Sequence, residues 1–363
     1  MKPPALFDYR RSAAMTFLAL PLGLRAERLY QNLPRISSID ILQRLPSLSI
    51  IIPARNEEAN LSVLLPSLCS LRYPGPLEIL VVDDQSTDQT AAVAQAHGAG
   101  LLRLDHLPSG WLGKPFACHQ GAQAAQGEWL LFTDADTVHA PDGPAQAVAY
   151  ALQERLDGLS CFLQQDCQLW GDRLALAAAF AGLFSGYQQD KPHFNGQYIL
   201  LKREAYLGSA GFSAVRNIFL EDLALGDRLR HIGYRVPILR GEDLASVRMY
   251  PDSHHLFQGL SRLGVGALHW SGASSLLTIL FISAVMSPLI VLVGVLRGKM
   301  RFRWLAITWC ASSLSMLPWS KRIASPAWAL LAPLGALLVQ IAAIYGLLAR
   351  LFGRGLTWKE RKV

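Results

Sequence analysis

Residues 128–137 read E-W-L-L-F-T-D-A-D-T. Just after Gly127, the apolar run 129–132 leads into Asp134-Ala135-Asp136. An unbroken apolar run of that kind predicts a strand buried on both faces of a parallel sheet. Side chains alternate along a strand, so Asp134 and Asp136 are expected on the same side where it ends. Two carboxylates held together repel each other unless a cation lies between them. Oxygen ligands suit hard ions such as Mg²⁺ or Mn²⁺, with a phosphate as co-ligand. An isolated D-x-D is equally a turn, or a helix cap with Asp136 or Thr137 as N-cap. The rest of the chain decides between these readings.

Upstream, residues 48–52 (L-S-I-I-I) predict a buried strand that ends in Pro53-Ala54-Arg55-Asn56-Glu57. Asn56 or a neighbour is expected to cap a helix running to about Leu71, whose N-terminal end suits Glu57 and Glu58. Residues 77–82 predict a second strand leading into Asp83-Asp84, with Thr87 or Asp88 capping a helix over 89–97. A short third strand is expected over 101–104. Strand, polar loop and helix in repetition mean an α/β fold with a mostly parallel sheet and flanking helices. Ligands of such sheets bind at the carboxyl ends of the strands, where all three acidic loops lie.

Gly110-Trp111-Leu112-Gly113-Lys114-Pro115 comes next. It precedes an Ala/Gln-rich helix over 117–126, with Gly127 read as its C-cap. Beyond the opening strand the pattern gives a helix over 143–155 and a strand over 158–163. Residues 174–189 carry no charge and read either as a core helix or as one lying against a membrane. Asn195-Gly196-Gln197 precedes a strand over 198–201, and a helical stretch begins at 202–206. Glu221-Asp222 opens a helix to His231 with Gly233 as its stop, and 236–239 is the last strand of the sheet.

Charge is unevenly spread along the 363 residues, which are 51% hydrophobic. Residues 297–363 hold 11 Lys/Arg against one acid, whereas 45–296 hold 16 basic and 23 acidic residues. Basic character beside apolar segments at the two ends points to anionic lipid headgroups, not to nucleic acid. Five scattered cysteines with no C-x-x-C pair suit a reducing cytosol rather than a disulfide framework or a zinc site. Residues 12–24 are apolar but short and contain Pro21, which favours an interfacial helix. Three apolar segments, 276–296, 304–320 and 323–349, are read as C-terminal membrane helices. The expected organisation is a membrane-associated segment at 1–44, a catalytic domain at 45–255, a membrane region at 256–352 and a basic tail at 353–363. With a cytoplasmic catalytic domain, three full spans would put Arg297, Lys299, Arg301 and Arg303 outside, against the positive-inside rule. A re-entrant segment at Pro288 would keep them inside.

Six stretches carry a family resemblance: 49–58 (S-I-I-I-P-A-R-N-E-E), 80–90 (L-V-V-D-D-Q-S-T-D-Q-T), 110–117 (G-W-L-G-K-P-F-A), 130–137 (L-L-F-T-D-A-D-T), 195–206 (N-G-Q-Y-I-L-L-K-R-E-A-Y) and 219–229 (F-L-E-D-L-A-L-G-D-R-L). Together they resemble a membrane-bound family-2 glycosyltransferase of GT-A fold, and 247–251 (V-R-M-Y-P) is similar to carotenoid- and hopanoid-associated members. The resemblance implies transfer of one sugar, with inversion, from a UDP- or GDP-linked nucleotide sugar to a hydroxyl of a membrane lipid at the cell membrane. A polyisoprenoid such as a carotenoid is the first acceptor to consider; a glycerolipid, ceramide or polyprenyl phosphate is the alternative.

In that reading Asp136 and Asp134 hold Mg²⁺ or Mn²⁺, which stabilises the departing diphosphate. Pro53, Ala54, Arg55, Asn56 and Glu57 cradle the nucleoside, Asp83 and Asp84 accept its hydrogen bonds, and Ala135 belongs to the same donor site. Lys114 supplies a positive charge near phosphate. Asp222, with Glu221 beside it, is the general base, kept ionised by a helix N-terminus. Trp111, Asn195, Gly196 and Gln197 line the sugar or acceptor pocket. The Q-x-x-R-W signature of processive synthases is absent after Asp222, where H-L-F-Q-G-L-S-R (255–262) stands, so a single transfer is expected. Arg248 and Arg262 read as interfacial anchors. No P-loop, G-x-G-x-x-G or nucleotidyltransferase-type glycine loop is found. The non-enzymatic alternative is a degenerate relative serving as a membrane scaffold.

Overall fold

The apolar run at the centre of the sequence forms the centre of the sheet. The computed structural model describes residues 8–36, 41, 44–188, 194–218, 220–266, 272–352, 357–358 and 361–362. Gln189, Phe219 and most of the basic tail read over 353–363 lie outside them. Two helices, α1 (Tyr9–Thr16) and α2 (Ala19–Gln31), precede β1 (Leu48–Ala54), α3 (Glu58–Cys69), β2 (Leu77–Asp83), α4 (Thr90–Ala96) and β3 (Gly100–Arg103). Then follow α5 (Gly113–Ala124), β4 (Trp129–Thr133), β5 (Thr137–His139), α6 (Gly143–Gln153), β6 (Gly158–Phe162) and β7 (Gln164–Gln165). After α7 (Trp170–Ser185) come β8 (Tyr198–Lys202), α8 (Arg203–Gly208), α9 (Glu221–Ile232), β9 (Ile238–Arg240) and β10 (Ala245–Val247). The chain continues as α10 (Ser253–Gly266), α11 (Gly272–Met286), α12 (Pro288–Leu296), α13 (Phe302–Ile323) and α14 (Ala332–Leu351).

Seven strands pair in the order β3-β2-β1-β4-β8-β6-β9. All neighbours are parallel except β8, which runs antiparallel to β4 and β6. Burial on both faces explains the unbroken apolar run in β4. Leu131 packs with α3 and α6 on one face, while Leu130 and Phe132 pack with α5 and α9 on the other. A small second sheet, β5-β10-β7, closes the carboxyl end of the large one.

A third apolar core belongs to the helices. It gathers Ala26 and Tyr30 of α2, Phe184 of α7, Phe281 of α11, Trp319 of α13 and Ala336 of α14. The uncharged stretch read over 174–189 is thus the core helix of this bundle. Pro21 does not break α2, because it falls in the first turn, where backbone N–H groups have no helical partner. The N-terminal segment is therefore packed into the bundle, and Arg25 donates to the carbonyls of Ser185 and Tyr187. Two stretches, Gly272–Leu296 and Pro326–Leu351, are long and apolar enough to cross a membrane. The first is interrupted at Ser287 by Pro288. α13, the second of the three segments read from sequence, buries Ser312, Ser315 and Ser320 and carries Lys321 and Arg322 in its last turn. Its two ends are about 33 Å apart at 1.5 Å per residue. At one end Arg322 lies beside Gln164 of the sheet domain; beyond the other, Arg297 donates to Tyr9 of α1.

Several boundaries differ from expectation for local reasons. Asn56 does not cap α3; it adopts a left-handed backbone (φ 51°), and Glu57 takes the cap position. Gly127 is not a helix cap: an added Cβ would stand 2.5 Å from the Ser49 amide nitrogen, so the residue is glycine because β1 passes so close. α5 starts four residues earlier than read, which places Lys114 in its first turn. Gly233 does cap α9, at φ 103°.

Two glycines let α14 touch its neighbours backbone to backbone. A Cβ at Gly335 would lie 2.4 Å from the Leu174 carbonyl oxygen, and one at Gly346 2.1 Å from that of Ser261 in α10. Gly346→Ala is expected to cost about 1–3 kcal/mol, as overpacking does. The readout is the thermal midpoint of the full chain in lipid; an unchanged midpoint would mean that α10 and α14 are not so closely apposed.

Candidate active site

At the carboxyl end of β4 the chain bends through Asp134-Ala135-Asp136 into β5. A buried hydroxyl pair fixes the bend. Thr133 donates to the Gln197 carbonyl at 3.1 Å, and Thr137 donates to the Asp134 carbonyl at 2.8 Å. Carbonyls only accept, so each hydroxyl has spent its one proton. The two oxygens nevertheless lie 3.0 Å apart. Only a third donor can serve them both: His139 Nε2, at 3.1 Å from Thr133 and 3.4 Å from Thr137. This arrangement assigns a proton to His139 Nε2. Burial, which holds its pKa down to about 4, keeps the imidazole neutral. The sequence reading missed His139, although T-x-x-x-T-x-H begins inside the decisive stretch.

Around this bend one ammonium faces several acids. Lys114 Nζ lies 2.6 Å from Asp134 Oδ1 and 3.9 Å from Glu221 Oε1. Burial alone would lower the lysine's pKa, but Asp134 and Glu221 outweigh it and hold the pKa up. Glu221 is pushed up to about 7, mainly by burial, against the pull of Lys114. Asp222 is raised by burial too, although Lys114 and two backbone amides oppose the shift. Those amides are Gly196 N–H, 2.8 Å from Oδ2, and Leu223 N–H, 2.9 Å from Oδ1 in the first turn of α9. Pro53, Lys114, Asp134, Gly196, Glu221 and Asp222 all line one cleft, floored by Phe132 and Phe212.

The loops that follow β1 and β2 interlock. Asp84 N–H donates to Ala54, and Arg55 Nη1 donates to the carbonyls of Asp84 and Gln85. Asn56 Oδ1 accepts from Thr87 N–H, and Glu57 N–H donates to Thr90 Oγ1. Asp83, 1% exposed, spends Oδ1 on Ser86 N–H and faces Arg103 across 3.5 Å with Oδ2. These contacts anchor its own loop. Asp88 is likewise committed, to the amides of Thr90 and Glu58.

Other expected pocket residues stand elsewhere. Asn195 donates to the Cys161 carbonyl and to Gln197 Oε1, so the pair fixes Gly196 rather than lining the cleft. Trp111 stacks on His119 at 5.1 Å, outside the cleft lining. Conversely Arg262, read as an interfacial anchor, lies within electrostatic reach of Glu221, Asp134 and Asp222. Nothing in the local sequence around Arg262 signals this, because α10 is brought there by packing on α14.

The residues present fit a hard cation. Asp136 Oδ1 is buried with no protein partner. Burial, then Asp134 and Glu57, push its carboxyl up to about 8. Among the described residues no three His, Cys, Asp or Glu side chains converge as a metal cage. One or two carboxylates with diphosphate oxygens and water are the usual surroundings of Mg²⁺-like ions.

Comparison with known proteins adds the following. The model of the family described as "Glycosyl transferase family 2" matches residues 49–207. The 4,4'-diaponeurosporenoate glycosyltransferase of Staphylococcus aureus strain MRSA252 is 28% identical over 222 residues, covering 58% of this chain and 59% of that protein. The chain thus matches less than two thirds of the length of this curated relative. A mannosyltransferase of Pyrobaculum calidifontis, solved in complex with GDP-Man and Mn²⁺, is 19% identical with a TM-score of 0.57, covering 93% of this chain and 98% of that one. At that identity the likeness concerns the fold, which is of GT-A type.

Two outcomes test the hydroxyl relay. Thr133→Val leaves the Gln197 carbonyl without its donor and is expected to cost about 1–3 kcal/mol, which Thr133→Ser restores. Between pH 6.5 and about 4 the unfolded chain binds a proton that folded His139 refuses. Stability therefore falls as pH drops through that window, with a slope of up to about 1.4 kcal/mol per pH unit from this group. Unfolding of His139→Gln should lose that part of the slope; an identical slope would mean that His139 is charged in the folded protein.

Proposed function

Because residues 49–207 form a glycosyl transferase family 2 domain, we propose that the chain transfers one sugar from a nucleotide-sugar donor to a membrane lipid, with inversion. The observation that carries this reading is the meeting of Lys114, Asp134, Glu221 and Asp222 in one cleft at the carboxyl ends of β1 and β4. The interlocked loops of β1 and β2 offer the nucleoside a rigid edge. A divalent cation on Asp136 and Asp134 would neutralise the departing diphosphate. Lys114 and Arg262 add positive charge on the same side.

The acceptor oxygen attacks the anomeric carbon from the face opposite the diphosphate. The carbon–oxygen bond to the diphosphate breaks, and its electron pair leaves with the phosphate. The proton of an acceptor hydroxyl passes to Asp222, whose two oxygens are already aimed by Gly196 and Leu223. Glu221 sits between Lys114 and Asp222, so the two acids titrate as a pair rather than singly. No second nucleophile is needed, which is why a single inverting displacement is the simplest chemistry.

Two observations support the acceptor class. Two stretches are long and apolar enough to cross a membrane, and the S. aureus relative is named for a carotenoid-related substrate. That name denotes a carboxylate, and a carboxylate oxygen needs no base. A membrane polyisoprenoid bearing a hydroxyl or carboxyl group is therefore the proposed acceptor, and the catalytic domain is placed on the cytoplasmic side, where nucleotide sugars are found.

The test is transfer by the purified chain in lipid, with Mn²⁺ or Mg²⁺ and a panel of nucleotide sugars. Asp136→Ala should abolish metal-dependent turnover. Asp222→Asn should lower transfer to a hydroxyl acceptor by about 10²–10⁴-fold, and far less to a carboxylate. Undiminished hydroxyl transfer by Asp222→Asn removes the base assignment. Failure of the wild type to turn over any donor removes the enzymatic reading.

A further inference from the structure

The end of the helical bundle far from the sheet gathers cations from three elements. α1 runs antiparallel to α12. Thr16 meets Ser287 at one end of the pair, and at the other Tyr9 Oη accepts from Arg297 at 3.3 Å. Met300 N–H closes the following turn on the Gly294 carbonyl at 3.1 Å. The start of α1, the end of α12 and the start of α13 therefore form one surface, with Ala13, Val291 and Leu305 as its apolar base.

On that surface Arg10, Arg11, Arg297, Lys299, Arg301 and Arg303 are all exposed. Among the described residues 8–11 and 296–304, Asp8 is the one acid, and Arg11 holds it at 3.0 Å. The opposite end of α13 is built differently. There Arg322 is paired with Glu27, Arg240 with Glu242 and Arg35 with Asp243. Cations beside the sheet are neutralised by the protein's own acids, whereas those of the far end are left to an external anion.

The neighbouring residues select that anion. Leu296 is 77% exposed, Phe302 70% and Trp304 37%, and the Arg303 guanidinium lies over the Trp304 ring. Apolar side chains interleaved with cations suit the boundary where lipid headgroups meet acyl chains, a common place for Trp. Arg297 also directly follows Gly272–Leu296, one of the two stretches long and apolar enough to cross a membrane. A headgroup layer is where such a stretch ends.

We propose that this end of the bundle is a docking surface for the anionic headgroups of a phospholipid bilayer. The cations would hold lipid phosphates, and Leu296, Phe302 and Trp304 would enter the layer beneath them. The proposal rests on the bundle lying in a membrane, as the proposed function does, but on none of the chemistry in the acidic cleft.

The experiment places the full chain in phosphatidylcholine nanodiscs with a trace of spin-labelled phosphatidylglycerol or spin-labelled phosphatidylcholine. The protein-bound fraction of each label is read by electron paramagnetic resonance. Phosphatidylglycerol should be preferred at least about fivefold, the selectivity of a single basic residue near an anionic headgroup, and salt should shrink the preference. Combining Arg10→Gln, Lys299→Gln, Arg301→Gln and Arg303→Gln should lower it about threefold or more. The thermal midpoint in phosphatidylcholine and nucleotide binding should stay unchanged, because all four side chains are exposed. Combining Arg10→Lys, Arg301→Lys and Arg303→Lys should keep the preference. No preference in the wild type, or an equal one in the glutamine variant, would overturn the proposal. Displacement of the labelled lipid by free glycerol 3-phosphate would make the site one for soluble phosphate and overturn the bilayer assignment. Failure of the chain to enter phosphatidylcholine discs at all would remove the membrane reading and the proposal together.

Discussion

Burial of acid around a single lysine is the constraint on which the site depends. Asp134, Glu221 and Asp222 share one cleft with Lys114, and Asp136, its Oδ1 buried, adds a further acid beside Asp134. Removing carboxylates from water is costly, and one ammonium cannot balance several of them. The protein tolerates the imbalance by raising the pKa values of Glu221 and Asp136 into the range where each is readily protonated or ionised. A site that is short of positive charge is suited to ligands that bring a cation with them.

Such a cleft must be held open against its own repulsion, and the surrounding structure does this with backbone groups. Gly196 and Leu223 fix Asp222; Asn195 and Gln197 fix Gly196; Thr133 joins Gln197 to the bend that carries Asp134. The acidic groups are thereby placed by one continuous set of hydrogen bonds that crosses from β4 to the loop before β8. His139 completes it by supplying the one proton the two threonines lack. Small-residue contacts extend the same logic to the apolar bundle. Gly346 lets α10 lie against α14, and α10 delivers Arg262 to the acids.

Much of the sheet was legible in the sequence because its strands are buried on both faces and carry unbroken apolar runs. The acidic loops were legible because each follows such a run directly. Glycines misled where their reason was long-range. Gly127 looked like a helix stop, yet it is glycine because Ser49, far away in sequence, passes 2.5 Å from where its Cβ would be. Pro21 lies in the first turn of α2, where no helical N–H is lost. Asn195, Gln197 and Trp111 were read as pocket residues from their neighbours in sequence; in the structure Asn195 and Gln197 bond each other and Trp111 stacks on His119.

The sequence by itself determined the α/β class and the strand ends at which the acidic loops gather, and it singled out Lys114, Asp134, Glu221 and Asp222. Periodicity, and carboxylates placed at strand or helix ends, are local properties, visible within a few residues. Only the tertiary structure decided that His139 supplies a shared proton, that Asp83 serves its own loop, that Arg262 faces the acids and that cations of α1 and of the turn between α12 and α13 meet at one end of the bundle. Each of these depends on which groups packing brings near one another, within the few ångströms of a hydrogen bond or the longer reach of a charge. No pattern along the chain encodes that proximity.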